Sequence, residues 1–347
     1  MSVFNGERFL RDAIESILNQ SFCDFEFIII DDGSTESIGS ILDWYQKSDP
    51  RIRVYHQENR GLIESLNRAC GLARGKYIAR MDADDIAVPD RLAWQIGFMD
   101  RHPEVAVVGG AVEFIDQGGK ILRVGRRPLH NDEIQRVILN QSGVMWHPSV
   151  LMRKAAFARV GGYRNVVDAE DYDLWLRMAE LFQLANLSEV LLKYRLHPGQ
   201  VSVAKCRKQA LGAAAARAAA MARREGKPDP LQSAGEITSV ALARLGVSEA
   251  IQHTTLARGY LSSIRSMSDA SEFVPALEIF ETLPFSELRQ AERWTIADLR
   301  LCGARLYWRK RKLARCTINA INAILARPII LGRLFKPLLR RFHSCRA

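Results

Sequence analysis

Cysteine is sparse and scattered: six residues, at positions 23, 70, 206, 302, 316 and 345, with no Cys-x-x-Cys pair. That spacing excludes a zinc ribbon and a dense disulfide framework, and it suits a reducing compartment. The start, Met1-Ser2-Val3-Phe4-Asn5-Gly6, lacks a basic region followed by an apolar stretch, so no secretory leader is expected and the chain is expected to stay in the cytoplasm. Acidic residues are missing altogether from Arg300 to Ala347, where much of the +10 net charge collects. A tail of one sign points to an anionic partner, and with no recognised nucleic-acid module beside it that partner is not expected to be nucleic acid. No window of the tail reaches the roughly 18 apolar residues of a spanning helix. What the chain does have is a globular profile, 347 residues at 48% hydrophobic and 25% charged, enough for one large or two ordinary domains.

Between residues 9 and 115, helical and strand patterns alternate. Helices are expected at Phe9 to Asn19, Ile38 to Gln46, Leu62 to Ala73 and Arg91 to Arg101, and strands at Phe25 to Ile30, Ile52 to His56, Tyr77 to Met81 and Val105 to Val112. Such alternation predicts an α/β fold with a mostly parallel sheet covered by helices on both faces. Ligands of these sheets sit at the carboxyl ends of the strands. Two acidic clusters fall there: Asp31-Asp32-Gly33-Ser34 after Phe27-Ile28-Ile29-Ile30, and Asp82-Ala83-Asp84-Asp85 after Tyr77-Ile78-Ala79. Packed like charges repel unless a cation joins them, and a hard divalent ion takes one or two carboxylates together with substrate phosphates. Both clusters also read as ordinary turn chemistry. Beyond Lys205 the pattern becomes helical, with Gly226-Lys227-Pro228-Asp229-Pro230 as punctuation.

In order along the chain stand Asn5-Gly6-Glu7, Leu18-Asn19-Gln20, Ile30-Asp31-Asp32-Gly33-Ser34-Thr35, Glu58-Asn59-Arg60-Gly61-Leu62, Leu66-Asn67, Ala79-Arg80-Met81-Asp82-Ala83-Asp84-Asp85, His147-Pro148-Ser149, Glu170-Asp171-Tyr172-Asp173-Leu174-Trp175 and Tyr194-Arg195-Leu196-His197. This series, over roughly residues 2 to 203, resembles the family 2 glycosyltransferases, inverting nucleotide-sugar enzymes of GT-A fold. The resemblance implies a catalytic domain over 1–204 with its first strand truncated; the residue pattern beyond it reads as a helical extension over 205–306 and a basic amphipathic tail over 307–347. It places Asp31 or Asp32 at the base and ribose of a nucleotide, Phe4 beside the base ring, Asp82 near the ribose and Asn67 among the nucleotide-binding residues. Asp84 is implied as a direct ligand of Mg2+ or Mn2+, with His197 approaching the diphosphate or the metal. Asp171 matches the catalytic base, whose pKa Glu170 and Asp173 are expected to raise. The same Glu170-Asp171 pair also suits a helix N-terminus.

The expected activity is transfer of a sugar from a nucleotide-diphosphate sugar to a hydroxyl of a glycan or lipid-linked acceptor, in cell-surface polysaccharide or glycolipid assembly. A catalytically silent sugar-nucleotide-binding or scaffold protein is the alternative, and joint retention of Asp84, Asp171 and His197 weighs against it. Nucleotidyl transfer is disfavoured because Asn5-Gly6-Glu7 stands where a basic Gly-rich loop is wanted. In the tail, Trp308, Ile318, Ile321, Leu325, Ile329, Leu334 and Phe335 interleave with Lys and Arg. Such a segment reads as lying on the anionic inner face of the cell membrane. Gln290-Ala291-Glu292-Arg293-Trp294 has the Gln-x-x-Arg-Trp form of processive synthases but lies more than a hundred residues beyond Asp171, where coincidence is the reading.

Overall fold

The computed structural model describes residues 1–35, 37–140, 143–166, 168–197, 206–232, 238–269 and 271–328. The chain divides into two compact units, one formed by Met1–Leu196 and Ala219–Gln232, the other by His197–Ala218 and the chain onward from Ser233.

The first unit opens β1(Ser2–Val3), α1(Glu7–Leu18), β2(Phe27–Asp32), α2(Ile38–Ser48), β3(Ile52–Gln57), α3(Leu62–Leu72). It continues β4(Tyr77–Ala79), β5(Ile86–Ala87), α4(Arg91–Arg101), β6(Val105–Ile115), β7(Ile121–Gly125) and α5(Asn131–Val137). A 3-10 turn over His147–Ser149 precedes β8(Leu151–Arg153), α6(Lys154–Arg159), α7(Glu170–Leu181) and β9(Gln183–Arg195). Helix α1 shows why these elements form: Phe9, Leu10, Ala13, Ile14 and Ile17 recur at helical spacing and are the residues it buries. Strand β2 is buried along its whole length, as a strand covered on both faces must be.

Two sheets result. In the first, β1, β2 and β3 run parallel in that order. In the second the order is β4-β8-β6-β9-β5, with β7 also on β6. The expectation of a mostly parallel sheet holds for the first and not for the second. There β6 pairs parallel only with β9, while β8 and β7 share its other edge antiparallel. The cause is chain direction: β8 lies between β4 and β6 and opposes both. Strand β1 is two residues long, and the Met1 ammonium donates to the Ile28 carbonyl at 2.9 Å. Burial lowers that ammonium's pKa to about 6. A cavity of about 600 Å3 adjoins it, lined by Phe27, Ile28, Tyr77, Ile78 and Met152 among others.

After β9 come α8(Cys206–Arg224), which supplies its final residues to the first unit, then α9(Ser239–Arg244), α10(Glu249–Asp269), α11(Phe273–Glu281), α12(Arg293–Arg309) and α13(Leu313–Ala326). In the second unit Leu256, Leu261, Ile264, Met267, Leu277, Phe280, Leu299 and Leu306 form the core. The Gln-x-x-Arg-Trp match sits at the start of α12 with Trp294 exposed. Helix α13 is inverted relative to a buried helix: Asn319 and Ala323 face inward while Ile318, Ile321 and Leu325 are exposed. Among the described residues no helix is long and apolar enough to cross a membrane. The tail residues 329–347 lie outside the described residues.

Candidate functional site

Strand β2 delivers Asp31 and Asp32 to its carboxyl end, both buried. Asp32 is saturated: Oδ1 accepts from the Gln57 amide at 2.7 Å and the Arg60 N–H at 2.8 Å, and Oδ2 from the Gly61 N–H at 2.9 Å. Asp31 accepts from the Ser34 N–H at 3.1 Å through Oδ1, while Oδ2 lies 2.9 Å from His56 Nδ1. The hydrogen bond with Asp31 raises the His56 pKa, and Asp43, 3.1 Å from the other ring nitrogen, adds to it. The 31–35 loop is stitched to the N-terminal segment: Asn5 N–H donates to Ser34 Oγ at 3.0 Å, and Asn5 Oδ1 accepts from Thr35 N–H at 3.0 Å. Gly33 is required where it stands, with φ +79° and a position where a Cβ would come within 2.6 Å of the Asn59 nitrogen. Phe4 is 56% exposed at the rim.

The second cluster is built the other way. Asp82, Asp84 and Asp85 offer ligand oxygens that all lie within 4.8 Å of one another. Asp85 is 1% exposed; its Oδ1 accepts from the Arg195 N–H at 2.8 Å, and its buried Oδ2 takes no hydrogen bond. Burial raises the carboxyls of Asp82 and Asp85, and the neighbouring Asp84 adds to both. Arg80, buried, ion-pairs with Asp82 and opposes that rise. The loop is held from two directions. Arg91, fully buried in α4, donates to the Arg80 carbonyl at 2.7 Å, and Arg195 at the end of β9 donates Nε to the Asp84 carbonyl at 2.8 Å. Three hard oxygen donors and one orphaned carboxylate oxygen fit a divalent cation such as Mg2+ or Mn2+.

Helix α7 begins at Glu170, so Glu170, Asp171 and Asp173 lie in its first turn, where the backbone dipole favours negative charge. Asp171 Oδ1 accepts from the Tyr172 N–H at 2.6 Å. Burial raises the Asp171 pKa; the Tyr172 hydrogen bond and Arg80 pull it down and Asp82 pushes it up, so α7 and the acidic loop share one field. Glu170 is pushed up to about 8 by burial and then by Asp171. Asp173 does not play the part expected of it. Fully buried, it accepts from Arg164 Nε at 2.9 Å and Arg177 Nε at 2.8 Å, so its charge is spent on those two cations. Arg164 and Arg223 in turn share Asp229, which explains why the Gly226 to Pro230 punctuation returns to this unit.

Asn67 carries a structural load where a nucleotide contact is expected: it donates to the Tyr163 carbonyl at 2.8 Å and accepts from the Tyr163 N–H at 2.9 Å. Tyr163 stands 2.8 Å from His147 Nε2, and burial drives the His147 pKa well down. His197 follows β9 by two residues, is half-buried and belongs to the second unit. Sequence reasoning placed Asp85 in the acidic cluster without a role of its own, and it missed Arg91 and Arg195 as supports of the site. The signal for Arg195 was its place in Tyr194-Arg195-Leu196-His197; for Arg91, whose Nε donates to Gln95 at 3.1 Å, it was only the i, i+4 spacing of two polar residues on an apolar helix face.

The sequence model of the glycosyl transferase family 2 matches residues 1–161. The O-antigen biosynthesis glycosyltransferase WbnJ of Escherichia coli is 35% identical over 201 residues, which cover 57% of this chain and 78% of WbnJ. Residues 1–349 of TarS of S. aureus, in complex with UDP-GlcNAc, superpose with a TM-score of 0.54 at 16% identity, covering 92% of this chain and 88% of that one. The mannosyltransferase PcManGT of Pyrobaculum calidifontis, in complex with GDP-Man and Mn2+, gives a TM-score of 0.51 at 16% identity over 93% of this chain and 84% of that one. At that identity the structural likenesses speak to the fold, which is α/β of the GT-A type followed by a helical region.

Proposed function

Because this chain belongs to glycosyl transferase family 2, we propose that it is an inverting, metal-dependent glycosyltransferase that moves a sugar from a nucleotide-diphosphate sugar to a hydroxyl acceptor. The observation that carries this reading is the juxtaposition of three converging carboxylates, Asp82, Asp84 and Asp85, with the Asp171 carboxylate in the same electrostatic field. Asp84 and the orphaned Asp85 oxygen would hold Mg2+ or Mn2+. When bound, such an ion neutralises charge on the departing diphosphate. Asp82 and Asp31 face the ribose and base with Phe4 at the rim, while Asp32 and Asn67 hold the loops that shape the pocket. His197 is assigned as a further ligand on the resemblance alone.

Asp171 removes the acceptor proton as the acceptor oxygen bonds to the anomeric carbon and the bond from that carbon to the phosphate oxygen breaks. One displacement inverts the configuration, and no covalent sugar–enzyme bond forms. Work in cell-surface polysaccharide or glycolipid assembly follows from the kinship with WbnJ, with a glycan or lipid-linked acceptor. Peripheral contact with the inner face of the cell membrane is supported by the exposed Ile318 and Leu325 of α13, which follow exposed Trp308 and the basic run Lys310-Arg311-Lys312 along the chain.

Calorimetric titration of UDP, GDP and dTDP with and without Mn2+ tests the donor site: one nucleotide binds, and binding requires both Mn2+ and Asp84. Failure of all three nucleotides to bind would move the weight to a silent scaffold. Asp171→Asn is expected to keep nucleotide affinity and to lose roughly 10²- to 10⁴-fold in transfer rate. Liposome flotation with and without residues 307–347 tests the membrane contact, and equal flotation of both forms would sink it.

A further inference from the structure

We propose that Arg127, Trp146 and Tyr194 form an acceptor-side subsite for an anionic group, a phosphate ester or a carboxylate carried by the acceptor. The proposal deepens the transfer reading and rests on it.

Four elements bring the subsite together: Phe114 near the end of β6, Arg127 two residues past β7, Trp146 just before the 3-10 turn, and Tyr194 near the end of β9. The Trp146 ring packs on Phe114 at 5.2 Å and on Tyr194 at 6.0 Å between centroids, and Phe114 lies 5.4 Å from Tyr194. Over this aromatic floor the Arg127 guanidinium stands 3.6 Å from the Trp146 ring centre, and Arg123 stands 3.7 Å from that of Phe114. The guanidinium packs against Gly143, where a Cβ would come within 2.8 Å of Arg127 Nη2.

The guanidinium is the anomaly. The buried arginines of this unit have protein partners: Arg177 has Asp173, and Arg91 has the Arg80 carbonyl. Arg127 makes no ion pair or hydrogen bond among the described residues, and its Nε is buried with no acceptor. The indole Nε1 of Trp146 is a second buried donor without an acceptor. Burial first and then Arg123 lower the Arg127 pKa to about 10, with Tyr194 opposing them. The half-buried guanidinium gains at best about 2 kcal/mol from cation–π contact, and its buried Nε gains no hydrogen bond. A guanidinium without an acceptor beside an unused N–H donor is matched by an anion. Arginine's planar fork suits the two oxygens of a phosphate or carboxylate.

Location assigns the anion to the acceptor. The Tyr194 hydroxyl feels Asp85, Asp82 and Asp84 together, and its neighbour Arg195 holds the backbone of the acidic loop. The subsite therefore borders the proposed donor carboxylates without including them, and its rings offer an apolar floor to the body of the acceptor.

The test uses the full chain and three phenyl probes of graded charge: phenyl phosphate, phenyl β-D-glucuronide and neutral phenyl β-D-glucoside. Each is titrated by calorimetry into free protein and into protein saturated with Mn2+ and the nucleotide that binds it. Expected is saturable binding of an anionic probe that persists in the nucleotide-saturated protein, at least tenfold tighter than the glucoside, and weakened at least tenfold by Arg127→Gln. Preference for the phosphate points to a lipid-phosphate acceptor, and preference for the glucuronide to an acidic glycan. Equal affinity in wild type and Arg127→Gln, or displacement of the probe by nucleotide, overturns the subsite. Should Arg127→Gln fail to fold, Arg127→Lys keeps the charge without the fork and must weaken the probe severalfold; unchanged affinity overturns the subsite equally. Absence of nucleotide binding is a separate readout that strikes the transfer reading, whereas the probe titration into free protein strikes the subsite.

Discussion

Two strand ends carry the same kind of sequence, and they do opposite things. At the end of β2, every Asp32 oxygen is occupied by N–H donors from Gln57, Arg60 and Gly61, so the carboxylate works as a clasp that closes the 57–61 loop. Beyond β4, three carboxylates crowd within 4.8 Å, burial and Asp84 push the Asp82 and Asp85 carboxyls up, and a buried Asp85 oxygen is left with no donor. Residue type is shared; hydrogen-bond satisfaction is not. A satisfied buried carboxylate stabilises a fold, whereas an under-satisfied group of them stores repulsion that a cation relieves.

Four measurements break or sharpen that contrast. The largest effect is on chemistry: Asp84→Asn should cost roughly 10³-fold in transfer rate, because Lewis-acid stabilisation is worth several kcal/mol. A rate within tenfold of wild type would deny the cluster its role. Stability should move the other way. Asp32→Ala strands the N–H groups of Arg60 and Gly61 and is expected to cost about 3 kcal/mol in urea unfolding, while Asp84→Asn removes a like charge and leaves stability unchanged or higher. If both variants lost the same stability, the two strand ends would not differ as described. Next in size, Mn2+ at ten times its dissociation constant should stabilise the wild type by about 1.4 kcal/mol and Asp84→Asn far less, read as a shift in melting temperature. An equal shift in both would place the ion elsewhere.

The smallest effect concerns His56, whose pKa Asp31 and Asp43 raise above its ordinary value near 6.5. A histidine bound more tightly to its proton in the folded state contributes stability that is fully present below the unfolded pKa and is lost as pH rises through the higher folded pKa. His56 is half exposed, so solvent screens the pair and the contribution is about 0.5 kcal/mol. Replacing it with Gln should remove that loss from the pH dependence of urea unfolding as pH rises above about 6.5; an unaltered profile would show the pair to be inert.

Much of the first unit was legible because apolar periodicity is local. Helix α4 runs over Arg91–Arg101 as the pattern predicts, β2 begins and ends two residues later than expected, and β3 ends one residue later. Strands β5, β7 and β8 escaped notice because they are short, and their pairing is set by distant partners rather than by their own composition. The acidic loop announced itself in sequence, yet its supports did not. Arg91 and Arg195 look like surface charges until the fold buries them against backbone carbonyls of the loop. Asn67 and Asp32 show the converse: motif residues whose polar atoms the chain itself consumes.

The stitching of Asn5 to Ser34 and Thr35, with Gly33 pressed against Asn59, bears on how such a protein can change its donor. The segments around residues 4–7, 31–35 and 57–61 interlock, so a pocket graft that transplants one of them inherits mismatched seams with the other two. With these segments lining the donor site as proposed, donor preference should be exchangeable only as a three-segment cassette, and libraries that diversify the segments independently should yield mostly broken pockets rather than new ones.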